Sequence, residues 1–142
     1  KIARARGIEV IGGVAENLPL KNSAAGFILM VTTICFVNDI HKTFKESFRV
    51  LREGGALIIG MIDRGSPAGQ EYSKQKRNSP FYERAAFYSV DEVLGILGQT
   101  GFRDFDLRQT IFHGISDITE KEIVKTGHGE GLFAVIRGKK NQ

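Results

Sequence analysis

The sequence predicts an open, mostly parallel α/β sheet, and three observations carry this prediction. Two continuous apolar runs, residues 27–31 and 56–62, have the length of strands and the unbroken apolarity typical of strands covered on both faces. Between them, apolar residues recur at helical intervals and a glycine pair follows. Strand, helix and strand in this order form a βαβ unit, from which parallel sheets are built.

Local signals place the elements of the first half. Residues 1–7, KIARARG, are typical of the end of a helix closed by its glycine, and residues 8–11 are a β-branched run that predicts a strand. Asn38 or Asp39 can cap the helix of the βαβ unit. We expect that helix to end at the glycine pair 54–55.

The second half predicts one helix and two strands. Ser89 and Glu92 form a capping box ahead of a helix that Gly101 ends. Residues 102–112 alternate between apolar and polar side chains, which is typical of an edge strand, whereas residues 132–136 are apolar throughout and should lie inside the sheet. The last strand is therefore expected to be inserted between earlier strands.

Two connections are long enough to carry structure of their own. Residues 64–87 are polar with interspersed aromatic side chains, and two interpretations stay open: a lid-like or substrate-side excursion, or an ordinary surface excursion with a short helix. In the second connection, Thr119 and Glu122 predict the cap of a short helix.

Composition limits the class of protein. The chain has 142 residues, 42% hydrophobic and 25% charged, as expected for a single globular domain. No apolar run reaches the roughly 18 residues that a membrane span requires, and the lone Cys35 and three histidines lack metal-ligand spacing. The net charge of +4 is spread along the chain, so we expect no nucleic-acid partner. A cytoplasmic protein without a structural metal is the expectation.

Three segments should face one crevice, because ligands of open α/β sheets bind beyond the carboxyl ends of the strands. They are GGVAENLPL (12–20), TTICFVND (32–39) and DRGSPAG (63–69). Together with FKESFRVLREGGALIIG and YSVDEVLGILGQTGF, their order and spacing resemble the later two-thirds of the class I S-adenosylmethionine-dependent methyltransferases, in the group that includes ubiquinone and menaquinone biosynthesis enzymes. The resemblance implies a Rossmann-like sheet, one partial methyltransferase domain over residues 1–142, S-adenosylmethionine as cofactor, and a small-molecule methyl acceptor.

The resemblance also implies roles for the cofactor side of the site. The backbone near Ala15 would meet the adenine ring, and the position of Val14 carries an acid in the family. Glu16 could replace that acid, since an acceptor is all the chemistry needs; its alternative role is a solvated loop residue. Thr32 and Thr33 would lie against the methionine part, or serve as strand-end hydrogen bonders.

On the substrate side, Phe36, Asp63 and Arg64 would lie near the acceptor. Phe36 is equally explained as a packing residue. For Asp63 and Arg64, the alternative role is in a surface ion pair. The resemblance implies no catalytic residue, because the sulfonium is already an excellent leaving group and a general base is optional.

The family's glycine-rich loop, ribose-gripping acid and first two strands have no counterpart in these residues. We therefore expect an N-terminally incomplete domain that binds the cofactor weakly or not at all by itself, and that can self-associate through the unpaired edge of the 27–31 strand. Two other hypotheses stay open: a noncatalytic methyltransferase-like binding or assembly domain, and a cysteine enzyme that uses Cys35 with His41.

Overall fold

A computed structural model describes residues 2–75, 80 and 82–141. Their strands are β1 (Ala25–Val31), β2 (Leu51–Ile62), β3 (Phe102–Thr110), β4 (Lys125–Thr126) and β5 (Phe133–Lys140). The α-helices are α1 (Ile2–Ala5), α2 (Ile40–Val50), α3 (Pro67–Gln75) and α4 (Val90–Thr100), and two short 3-10 turns span Ile34–Phe36 and Ile115–Asp117.

The strands form a five-stranded sheet in the order β1-β2-β5-β3-β4. β1 pairs parallel with β2, and β5 pairs antiparallel with both β2 and β3. Strands β1, β2 and β3 consequently run in the same direction, and their carboxyl ends meet at one edge of the sheet, here called the carboxyl edge. The open α/β sheet and the inserted last strand are both confirmed.

The two long helices begin where their capping signals predicted. The Asp39 side chain accepts a hydrogen bond from the Lys42 amide at 3.0 Å and starts α2. Ser89 and Glu92 form the reciprocal capping box of α4, and Gly101 ends it with a φ of 114°, a conformation that glycine adopts readily. The starts of α2 and α4 and the end of α4 therefore depend on contacts within a few residues.

The hydrophobic core lies where α2 and α4 cover one face of the sheet. Fully buried side chains from both helices, including Phe44, Val93 and Leu97, pack against Ile59 of β2 and Ile136 of β5. Burying a side chain of this size contributes about 1.5–3 kcal/mol. The core thus joins β2 and β5 to the two helices.

Two predictions about the first half are wrong. Residues 8–11 form no strand; they are irregular, and Ile8 and Ile11 are more than half exposed, because no strand among the described residues pairs with them. The prediction that both faces of the 27–31 strand are covered also fails, since Phe27 and Leu29 are 72% and 67% exposed while Met30 is buried. β1 lies at the end of the strand order with one face uncovered.

Element boundaries also differ from the predictions elsewhere. α2 ends at Val50, before the glycine pair, because Leu51 is already extended and pairs with Ala25 as β2 begins. Residues 119–122 form no helix; the Glu122 carboxylate accepts from the Phe112 amide at 2.8 Å instead of capping.

The predicted edge position of the 102–112 strand needs a smaller correction. β3 has β5 on one side and the two-residue β4 on the other, so it lies next to the edge. In the 64–87 excursion, α3 supplies the short helix that one interpretation expected; residues 76–79 and 81 lie outside the described residues.

Candidate functional site

The carboxyl edge contains two β-branched residues in a left-handed backbone conformation. Thr32, directly after β1, has a φ of 49°, and Ile111, directly after β3, has a φ of 65°. Such conformations cost about 1–3 kcal/mol each and cluster at functional sites. Sheet-type bonds hold Thr32 in place, because its amide donates to Gly60 O at 2.8 Å. Thr32 and Thr33 each donate a side-chain hydroxyl to Val31 O.

Residues 11–20 surround a hollow beside α2. The hollow encloses about 540 Å³, including space open to solvent, and is mostly apolar; it is lined by Ile11, Gly13, Val14, Ala15, Leu18, Pro19 and Leu20. A tight turn supports it, in which the Asn17 amide donates to Val14 O at 3.1 Å. The hollow therefore presents mostly apolar residues from the segment that the sequence analysis placed in the crevice.

Glu16 ties this segment to the start of α2. Its Oε1 accepts from the amides of Asn38 at 2.7 Å and Asp39 at 3.2 Å. Hydrogen bonds from its own amide and from those of Asp39 and Asn38 lower the pKa of the Glu16 carboxyl, since they favour the charged form. Glu16 is therefore not an unattached loop residue.

The other end of the same segment is held by a pair of residues that sequence reasoning missed. Arg49 donates to the carbonyls of Leu20 at 2.9 Å and Leu18 at 3.2 Å, and to Asn22 Oδ1 at 2.8 Å. Glu46 accepts from Arg49 Nε and Nη2 at 2.8 and 2.7 Å, and from the Leu18 amide at 2.9 Å. The hydrogen bonds between the two side chains lower the pKa of Glu46 and raise that of Arg49. We call Glu46 and Arg49 the loop clamp; only their i, i+3 spacing was visible in the sequence.

An apolar pocket opens beside Thr32, between the ends of β1 and β2 and the segment before α4. Its enclosed space holds only about one water molecule, and it is lined by Thr32, Ile34, Cys35, Met61, Ile62, Tyr82, Ala86, Phe87 and Tyr88. Phe36 stacks on Tyr82 with ring centroids 6.0 Å apart and planes 17° apart. Phe36 is not itself among the lining residues, and this stacking is compatible with both of its predicted roles, as a pocket wall and as a packing residue.

Cys35 does not have the surroundings of a nucleophile. Its buried thiol donates to Thr32 O at 3.5 Å. Burial raises the pKa of the thiol, whereas nucleophilic cysteines need a lowered one. This disfavours the hypothesis of a cysteine enzyme using His41.

Asp63 is a buried junction between three segments. Its Oδ1 accepts from the amides of Gly65 at 2.8 Å and Val90 at 3.1 Å, and its Oδ2 from Gly129 at 3.2 Å. Only 1% of Asp63 is exposed. The carboxylate therefore joins the end of β2 to the start of α4 and to the loop before β5.

Arg64 forms the surface ion pair that was its alternative role. Its Nη2 lies 2.6 and 2.7 Å from the two carboxylate oxygens of Glu92, and both side chains are nearly half exposed. Neither Asp63 nor Arg64 is among the lining residues of the apolar pocket.

A cleft lies beyond β3, and one of its lining residues, His113, contacts the Glu122 carboxylate. Glu122 holds the Phe112 amide and contacts Nδ1 of His113, which lines a cleft shared with Glu71, Tyr72 and Ser116. The His113 contact, followed by the Phe112 amide, lowers the pKa of Glu122. The sequence had suggested a helix cap for Glu122, and nothing in the spacing pointed to this pair.

Among the residues that the structure describes, no group of three or more His, Cys, Asp or Glu side chains could hold a metal ion. Every helix among the residues with described structure is too short or too polar to cross a lipid bilayer.

An open α/β sheet with hollows along its carboxyl edge defines a class of proteins that bind small molecules and cofactors there. Residues 1–59 match a family model described as a methyltransferase domain. Over 99% of its length the chain is 50% identical to a solved Thermotoga maritima structure, described as an S-adenosylmethionine-dependent methyltransferase and possible histamine N-methyltransferase, with a TM-score of 0.94. The chain belongs to the S-adenosylmethionine-dependent methyltransferases, and S-adenosylmethionine is its cofactor.

Further relatives set the extent of the similarity. An uncharacterised protein of Methanocaldococcus jannaschii is 42% identical over 140 residues, covering 99% of this chain. A malonyl-[acyl-carrier protein] O-methyltransferase of Nitrosospira multiformis is 27% identical over 96 residues, covering 67% of this chain and 31% of that enzyme. The chain spans 68% of both the Methanocaldococcus protein and the Thermotoga structure.

Proposed function

We propose that this protein transfers a methyl group from S-adenosylmethionine to a small-molecule acceptor, and that the carboxyl edge described above forms one side of the reaction site. The observation that carries the proposal is the 50% identity to an S-adenosylmethionine-dependent methyltransferase over 99% of this chain. We also propose that the protein acts in the cytoplasm.

The residues present fit one side of the cofactor. The hollow at Val14 and Ala15 has the apolar walls that suit an adenine ring, and within the described residues the Ala15 amide donates to no other group. The Oε1 atom of Glu16 already accepts from the amides of Asn38 and Asp39 at the start of α2. To recognise adenine, Glu16 would have to accept a further hydrogen bond. Thr32 and Thr33, at the end of β1, would hold the methionine part mainly through backbone carbonyls.

On the acceptor side, the proposed binding site is the open mouth of the apolar pocket beside Thr32. When bound, the cofactor supplies a methyl group made electrophilic by the sulfonium. Phe36 and Tyr82 would orient the acceptor against this edge and keep water away, which is most of what methyl transfer asks of the protein. A direct contact of Asp63 or Arg64 with the acceptor stays a prediction; the bonds of Asp63 support an indirect role in shaping the crevice.

The 142 residues alone should bind the cofactor weakly or not at all, since the described residues supply walls for the adenine and methionine parts but no glycine-rich loop. The exposed Phe27, Leu29 and Val31 of β1 also favour association of the isolated chain through its open edge. Sedimentation velocity should show this association, and Leu29→Lys should reduce it.

Titration calorimetry with S-adenosylhomocysteine tests the donor site in the protein made from its complete reading frame. Wild-type protein should bind, and Ala15→Trp, which fills the hollow, should weaken binding at least tenfold. Ile123→Trp is the matched control, because Ile123 is 66% exposed and far along the chain from the hollow. Absence of binding by the wild-type protein would contradict the proposal.

The second candidate function is a noncatalytic binding or assembly domain with a methyltransferase fold. One observation favours it: Val14 stands where the family carries an acid, and the Glu16 carboxylate is bound to two backbone amides. The same titration separates the two functions, because a noncatalytic domain without a donor site would give no heat of binding.

A further inference from the structure

We propose that the loop clamp, Glu46 and Arg49, positions the donor site and sets its affinity for S-adenosylmethionine without contacting the cofactor. This inference rests on the proposed function, because the hollow that the clamp supports is the proposed adenine side of that site.

The loop clamp makes hydrogen bonds to a segment that is distant in the sequence, residues 18–22. All three guanidinium nitrogens of Arg49 donate, two of them to Glu46 and two of them to the 18–22 segment. Glu46 in turn accepts from the Leu18 amide, 28 positions away. Both the amide and the carbonyl of Leu18 are therefore held by side chains of α2.

The hydrogen bonds from the loop clamp fix the position of one wall of the hollow. Leu18, Pro19 and Leu20 line the hollow, and they form no helix or strand of their own. Pro19 also packs tightly on Gly13: a Cβ added at Gly13 would lie 2.7 Å from Pro19 Cδ. A shift of Leu18 is thus transmitted through Pro19 to Gly13, and from there to Val14 and Ala15.

The geometry requires an arginine at position 49. A guanidinium can face a carboxylate with two nitrogens while its remaining N–H groups reach carbonyls, whereas a lysine ammonium is a point charge without that fork. Arg49→Lys keeps the charge and the i, i+3 pairing with Glu46 but cannot make all five bonds. The variant therefore separates the role of the clamp from that of a simple ion pair.

The test is titration calorimetry with S-adenosylhomocysteine on the whole protein, together with thermal melting in the absence of ligand. Arg49→Lys and Glu46→Gln should each raise Kd about tenfold, while the ligand-free melting temperature changes by only a few degrees. Lys45→Ala, on the same helix but exposed, is the control and should leave Kd unchanged.

The charge-swapped double variant, Glu46→Arg with Arg49→Glu, gives a readout that a purely structural ion pair would not. It restores opposite charges at i, i+3, but a carboxylate at position 49 cannot donate to the carbonyls of Leu18 and Leu20. We expect the swap to recover melting temperature and not affinity.

Three results would overturn the inference. Equal Kd values for the wild type and Arg49→Lys, or full recovery of affinity by the swap, would refute the clamp while leaving the proposed function intact. No binding by the wild type would refute both.

Discussion

Replacing Asp63 should destabilise the fold by an amount that follows from its three hydrogen bonds. In Asp63→Ala, the amides of Gly65, Val90 and Gly129 lose their acceptor. Leaving a buried donor unpaired costs about 1–3 kcal/mol, and less where water can enter. The bond to Val90 is buried and the other two are partly buried, so the total should be about 3 kcal/mol.

Asp63→Asn should cost less, for a geometric reason. Its carbonyl oxygen can replace Oδ1 and keep Gly65 and Val90, but its NH₂ group then faces the Gly129 amide, and two donors repel. A loss of about 1–2 kcal/mol is expected, because one bond is lost and the other two change from charged to neutral acceptors.

Urea unfolding followed by far-ultraviolet circular dichroism measures both variants. Asp91→Ala serves as the control, since the Asp91 side chain is 83% exposed on the first turn of α4, and it should stay within about 1 kcal/mol of the wild type. An Asp63→Ala loss below about 1 kcal/mol would refute the description of Asp63 as a junction, as would an Asn variant no more stable than the Ala variant.

Other predictions concern glycines, acid stability and the thiol. Gly69→Ala should lower the melting temperature strongly, because its Cβ would lie 1.8 Å from Asp63 O, whereas Gly95→Ala has nothing within 4 Å and should add up to about 1 kcal/mol to stability; similar effects would contradict the packing. The Ser89 amide and Arg64 lower the pKa of Glu92 below its usual 4.5, so its stabilising effect exists above pH 4.5 and disappears as pH falls through the lowered value. Melting curves from pH 7 to 3 should show this loss, and Glu92→Gln should reduce it; an unchanged slope would contradict it. Cys35 should react with iodoacetamide far more slowly in native than in urea-unfolded protein, given its buried thiol of raised pKa, and equal rates would revive the nucleophile hypothesis.

The parts of the fold that were predictable depend on local contacts. The caps at Asp39 and Ser89 and the turn at Gly101 involve residues within four positions of one another, so the sequence displays both partners together. The inserted β5 was predictable for a different reason, because residues 132–136 are apolar without interruption, which is typical of an interior strand. The same signal failed for β1, which lies at the end of the strand order.

The errors and omissions depend on distant partners. Residues 8–11 have strand-like composition, yet a strand requires a neighbour to bond, and composition cannot show whether one exists. Glu16, Glu46 and Arg49 are ordinary charged residues in the sequence. Their importance comes from amides and carbonyls 22 to 31 positions away, which only the folded chain brings within reach.

The insertion of β5 between β2 and β3 has a consequence for how the chain folds. Residues 133–140 leave the ribosome after β1 to β4, and among the described strands they connect β2 to β3. Until they arrive, β2 and β3 each expose an unpaired edge, which is where nascent chains aggregate. The two halves of this sheet should therefore join only after β5 has been synthesised, through a long-range closure, and a stop codon that removes β5 should leave them unjoined.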